Sequence, residues 1–65
     1  MGIYETALSA SKVVTAKPQL VVFLKGLAAN AMRAGQDQAA QELEHAAGVI
    51  ERAETVEAGL GLLKG

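Results

Sequence analysis

The chain carries one histidine, His45, three residues after a glutamate in the run Glu42-Leu43-Glu44-His45. On a helix that spacing brings a carboxylate and an imidazole to one face, the pair with which carboxylate-rich helical bundles hold two metal ions. Such a centre takes two copies of the pair and one further glutamate from each of two other helices. Two copies of this chain would supply the pairs, but the stretch from Pro18 to Ala34 contains no Asp or Glu, which leaves only Glu5 to complete the set. Glu42 and His45 also flank the apolar seam of their segment instead of lying in it. They are remote candidates for a di-metal carboxylate site, and the spacing predicts a solvated helix face shared with Gln38 and Gln41.

Other chemistry has fewer residues to work with. There is no cysteine, so thiol nucleophiles, disulfides and thiolate metal sites are excluded. Ser9 and Ser11 lie in no strand–turn–helix elbow of the kind that activates a serine. Gly59-Leu60-Gly61 is a lone pair of glycines at the far end of a helical stretch, where a phosphate loop does not belong. Met1-Gly2 through Thr6 fits the degenerate pattern for N-myristoylation, which short sequences meet by chance. The sequence predicts no catalytic residues and no cofactor, hence a protein that is not an enzyme.

The elements that must position these side chains are helical. Thirteen alanines and eight leucines, with scattered Glu, Gln, Lys and Arg, favour helix in a chain of 65 residues, enough for one small domain spanning 1–65. The β-leaning runs are Val13-Val14-Thr15 and Leu20-Val21-Val22-Phe23. Pro18 suits the first turn of a helix and disfavours helix at Lys17. Gly35 suits the left-handed residue that ends that helix, Asp37 can cap the next, and Gly59 and Gly61 bracket the far end. Three helices are therefore expected, at about 3–15, 18–34 and 38–58, with the last two packed as an antiparallel hairpin.

Leu20, Phe23, Leu24, Leu27, Ala31 and Ala34 recur along one face of the second helix, widened by Val21, Ala28 and Met32. The third helix carries two seams, Ala39-Leu43-Ala46-Ile50-Ala53 and Val49-Ala53-Val56-Leu60-Leu63. Two seams are more than one partner helix can cover, so contacts beyond the single chain are expected. The first helix, with Ile3, Ala7, Ala10 and Val14 in a stripe, either docks on the hairpin or orders only against a partner. Between Leu27 and Ile50 the chain loosely resembles a tetratricopeptide-type hairpin. Leu27, Ala40 and Ala47 fall where that repeat places a leucine and two alanines, and Gly35 falls near its turn. Ala31 and Glu44 replace the repeat's aromatic residues, Arg52 its closing proline, and no second repeat follows. The resemblance implies the helix pair and no activity.

Charge narrows the partners. The net charge is −1, without the basic excess of a nucleic-acid binder. A helix–turn–helix reading around Gly35 fails because the second helix presents Glu42, Glu44, Glu51 and Glu54 to phosphates. The most apolar stretch, Pro18 to Met32, is interrupted by Lys25 and is shorter than the ~20 residues that cross a bilayer. The start of the chain lacks the basic and apolar run of a secretory signal, so a cytoplasmic location or one within a macromolecular assembly is expected. Residues 1–34 carry Lys12, Lys17, Lys25 and Arg33 against Glu5. Residues 35–65 carry Asp37, Glu42, Glu44, Glu51, Glu54 and Glu57 against Arg52 and Lys64. Opposite halves of this kind set register between neighbouring copies, although isolated surface pairs contribute only ~0–1 kcal/mol each.

The expectation is an all-α protein completed by oligomerisation into a bundle or ring. It acts as a non-enzymatic structural or adaptor protein through self-association, or as a small component of a larger assembly such as a viral or phage particle. The residues expected to bury at the contact are Leu20, Phe23, Leu24, Leu27, Leu43, Ile50, Val56 and Leu60. The alternative is a small regulatory module that folds on a single protein partner.

Overall fold

The computed structural model describes residues 2–64. Met1 and Gly65 lie outside the described residues, and with them the two ends of the expected 1–65 domain and the first residue of the myristoylation pattern. The protein is all-α, and the described residues form four helices: α1 (Ile3–Val13), α2 (Lys17–Arg33), α3 (Asp37–Arg52) and α4 (Val56–Lys64).

Helix α1 stops two residues earlier than the spacing predicts. Val14 is extended (φ −111, ψ 96), as suits the stiff β-branched run Val13-Val14-Thr15. Helix α2 begins at Lys17, with Pro18 in its first turn and Ala16 as the extended residue before it. Lys17 is thus helical although it precedes a proline, against the expectation, and the boundary lies one residue upstream of the expected one. Its far end closes on Gly35, which has φ +78. The Gly35 N–H donates to the Met32 carbonyl at 3.0 Å and the Gln36 N–H to the Ala31 carbonyl at 2.8 Å. This is the paired closure that satisfies two otherwise orphaned carbonyls of a helix end, and it needs a left-handed residue. Asp37 does not cap α3. The cap position is Gln36, without a side-chain hydrogen bond, and Asp37 instead places its charge in the first turn, where the helix dipole favours it.

The larger departure is the break between α3 and α4, where a continuous helix to Ala58 was expected. Ala53 is extended (φ −75, ψ 154), although Ala53-Glu54-Thr55 contains no glycine or proline. Tertiary contacts hold the break open. The Lys17 ammonium donates to the carbonyls of Glu51 at 3.2 Å and Ala53 at 2.6 Å, supplying the cationic cap that a helix C-terminus favours. Thr55 restarts the helix, its Oγ1 accepting the Ala58 N–H at 3.1 Å, the usual role of a threonine N-cap. Gly59 then lies against α3: a Cβ there would stand 2.9 Å from the Ile50 Cα. Gly59 and Gly61 do not bracket a helix end; both sit inside α4.

The core gathers around Leu20, Leu24 and Ile50, the largest fully buried side chains, with Ala28, Ala40, Ala46 and Ala47 between them. Helices α2 and α3 share the most extensive contact. They run in opposite directions, since Lys17 at the start of α2 reaches the end of α3. Helix α1 docks on this pair through Ala7 and Ala10, and α4 packs against both α3 and α1. The Lys64 ammonium lies 5.9 Å from the centre of the Tyr4 ring, within the range of a cation–π contact.

Candidate interaction surface

Glu42 and His45 both lie on the exposed side of α3. Among the described residues no group of three His, Cys, Asp or Glu side chains lies close enough to hold a metal ion. Glu5, the only other carboxylate expected to complete such a set, is exposed on α1. Nor is any helix among the described residues long and apolar enough to cross a membrane.

The eight side chains expected at a contact between copies divide sharply. Leu20, Leu24, Leu43, Ile50 and Leu60 are buried against this chain's own helices, which leaves them no area for another molecule. Leu27 and Val56 are half-buried at the edge of the same core. Only Phe23 faces outward, 42% exposed. The row at the centre of the buried face of α2 is Leu20-Leu24-Ala28-Ala31, and Phe23 and Ala34 stand outside it. Met32, expected to widen the buried face, is 52% exposed.

The outward side of α2 carries features that helical periodicity did not single out. Val22 is 69% exposed, and Gly26 and Ala29 follow it on the same face. Nothing lies within 4 Å of where a Gly26 Cβ would be, so no packing inside the chain requires glycine there. A glycine in a helix interior costs about 0.5–1 kcal/mol relative to alanine. Val22, Gly26 and Ala29 thus form a low apolar saddle on the outward side, with the half-exposed Phe23 and Met32 on its two flanks. The signal in the sequence was the run Leu20-Val21-Val22-Phe23, apolar on both sides of the helix, which periodicity reads as a wider core.

Electrostatics frame this saddle. Lys25 and Arg33 stand on α2 with no acidic residue on that helix, whereas α3 exposes Asp37, Glu42, Glu44 and Glu51 against a single Arg52. Lys25 pairs with Glu51 across the two helices at 3.7 Å, both side chains more than half exposed, and Arg33 donates to the Asn30 side-chain oxygen. Two grooves open beside these elements. One of about 380 Å³ runs along Pro18, Val21 and Val22 between Lys17 and Glu51. The other, about 450 Å³, lies between α1 and α4 over Leu8, Val56 and Leu60, with Glu57 at its edge. The Ser11 hydroxyl in the second groove donates to the Leu8 carbonyl at 2.7 Å, so its proton is already engaged. No protein-family model, no curated protein and no solved structure matches the chain.

Proposed function

We propose that this chain is a non-enzymatic structural or adaptor protein that works by self-association of its helices, as a small component of a larger assembly. The observation that carries this reading is the outward face of α2. There Val22, Phe23 and Met32 are exposed around an uncovered glycine. A helix–helix contact explains what the monomer does not: a mid-helix glycine lets a second helix come close. The charge distribution favours another copy as that helix's owner, because the acidic outer side of α3 complements the basic residues flanking the saddle. A basic face that meets an acidic face elsewhere on the same molecule makes a head-to-tail contact, which builds rings or filaments.

Light scattering across a concentration series tests this reading. A stable multiple of 6.7 kDa is expected at high concentration. Val22→Glu should weaken association at least about tenfold, equivalent to about 1.4 kcal/mol, with helicity and melting temperature held near wild type because Val22 is largely exposed and lies outside the buried core. A chain that stays at 6.7 kDa throughout, or a Val22→Glu variant that associates like wild type, would sink the reading.

A further inference from the structure

We propose that α3 and α4 also exist as one continuous helix, and that in this form the chain exchanges α4 with a second copy. The hinge is the first ground. Ala53, Glu54 and Thr55 connect two helices without a glycine or proline, and alanine and glutamate are among the best helix formers. Two contacts from elsewhere support their non-helical path, the Lys17 ammonium on the Glu51 and Ala53 carbonyls and Gly59 against Ile50, beside the local cap of the Thr55 hydroxyl on the Ala58 N–H.

The second ground is register. Ala46, Val49, Ala53, Val56, Leu60 and Leu63 recur at steps of three and four residues straight through the hinge. That is the spacing of a seam which stays on one side of an unbroken helix and packs against another. In the bent chain the seam is divided between two helices that fold onto each other. In the straight form it becomes one stripe facing one way.

The third ground is size. A continuous helix from Asp37 to Lys64 runs about 42 Å, whereas the longest dimension of the folded chain is 31 Å. Its α4 half therefore projects beyond the body and strips Val56, Gly59 and Leu60 of their cover on α1 and α3. The occupant that restores every lost contact is the α4 of a second copy, seated on the same Ile50 and the same face of α1. Only the hinge changes conformation, and the contacts at both ends are those already present in the single chain. A three-residue hinge is short enough for such exchange to compete with closure.

This inference rests on the self-association reading but uses a different surface, and one experiment separates the two. The chain has no cysteine, so Gln41→Cys and Leu62→Cys, both at exposed positions, accept a pair of spin labels. Pulsed electron resonance on labelled chains diluted into unlabelled ones reads the distance within one chain. The bent form allows no more than about 23 Å between the two backbone positions, because Gly59 sits against Ile50, and the straight helix requires about 32 Å. The species heavier than 6.7 kDa should show the long distance and the monomer the short one. Glu54→Pro should remove the long distance and leave a folded helical chain. Ala53 already has the extended backbone that precedes a proline, and a straight helix cannot accommodate one there. A heavier species with only the short distance overturns the exchange and leaves self-association standing. The absence of any heavier species overturns both. A long distance that survives Glu54→Pro overturns the exchange alone.

Discussion

Gly59 and Gly61 stand two residues apart in α4, yet a methyl group has opposite consequences at the two. At Gly59 it would meet the Ile50 backbone at 2.9 Å, and backbone cannot swing aside. At Gly61 there is nothing within 4 Å, so alanine brings only its better helix propensity. Gly61→Ala should raise stability by about 0.5–1 kcal/mol, and Gly59→Ala should lower it despite the same intrinsic gain. Urea denaturation of the two variants checks this, and equal shifts would show that α4 does not pack as closely on α3 as described. Sequence alone presents both residues as glycines of a helix end. Their difference is one of distance to a side of α3 that lies nine residues upstream of Gly59, and no local pattern encodes it.

At the scale of elements, legibility followed the range of the physics. The turn between α2 and α3 was readable because Gly35 supplies the left-handed geometry by itself, and Pro18 marked the start of α2 to within a residue. The break after Arg52 was not read: Thr55 offers a local cap, but the ammonium from α2 and the glycine contact that accompany it form only on folding. The faces of α2 were readable in part. Leu20, Leu24, Ala28 and Ala31 emerge from the period, whereas Phe23, Val22 and Met32 are apolar residues interspersed with Gln19, Lys25, Asn30 and Arg33 on the outward side, which periodicity assigns to a wider core. The cap at Thr55 belongs to this scale. Thr55→Ala should cost about 1 kcal/mol, and hydrogen exchange should show that loss in the amides of α4 before those of α2. Uniform loss across all four helices would show instead that α4 and the α2–α3 pair unfold as one unit.

For the whole molecule, seven of the thirteen buried apolar side chains among the described residues are alanines. Alanine lets helices approach closely but removes little apolar area from water, so a few large residues carry the core. Leu24→Asp would bury an unpaired carboxylate beside Leu20 and Ile50, a cost of several kcal/mol that a chain of this size does not absorb. It should abolish cooperative thermal unfolding. Phe23→Asp, one residue earlier and exposed, should leave the melting curve close to wild type. Similar melting curves for the two would mean that α2 is rotated from the orientation described. The contrast also bears on the candidate surface: most of the leucines expected at an intermolecular contact are buried in the single chain, and the exposed Val22, Phe23 and Met32 lie outside the buried row of the same helix. The candidate surface was therefore legible in the sequence as a helix but not as a side of it.

The contact between Lys64 and Tyr4 has an optical consequence. Tyr4 is the only tyrosine and there is no tryptophan, so near-ultraviolet emission from this protein originates almost wholly at the junction of α1 with the end of α4. A titration followed by that emission reports first on the docking of α1 and the last helix, and on the α2–α3 pair only where α1 rests on it. An exchanged α4 would bring a second copy's Lys64 to the same ring, leaving the tyrosine emission unchanged while the mass doubles.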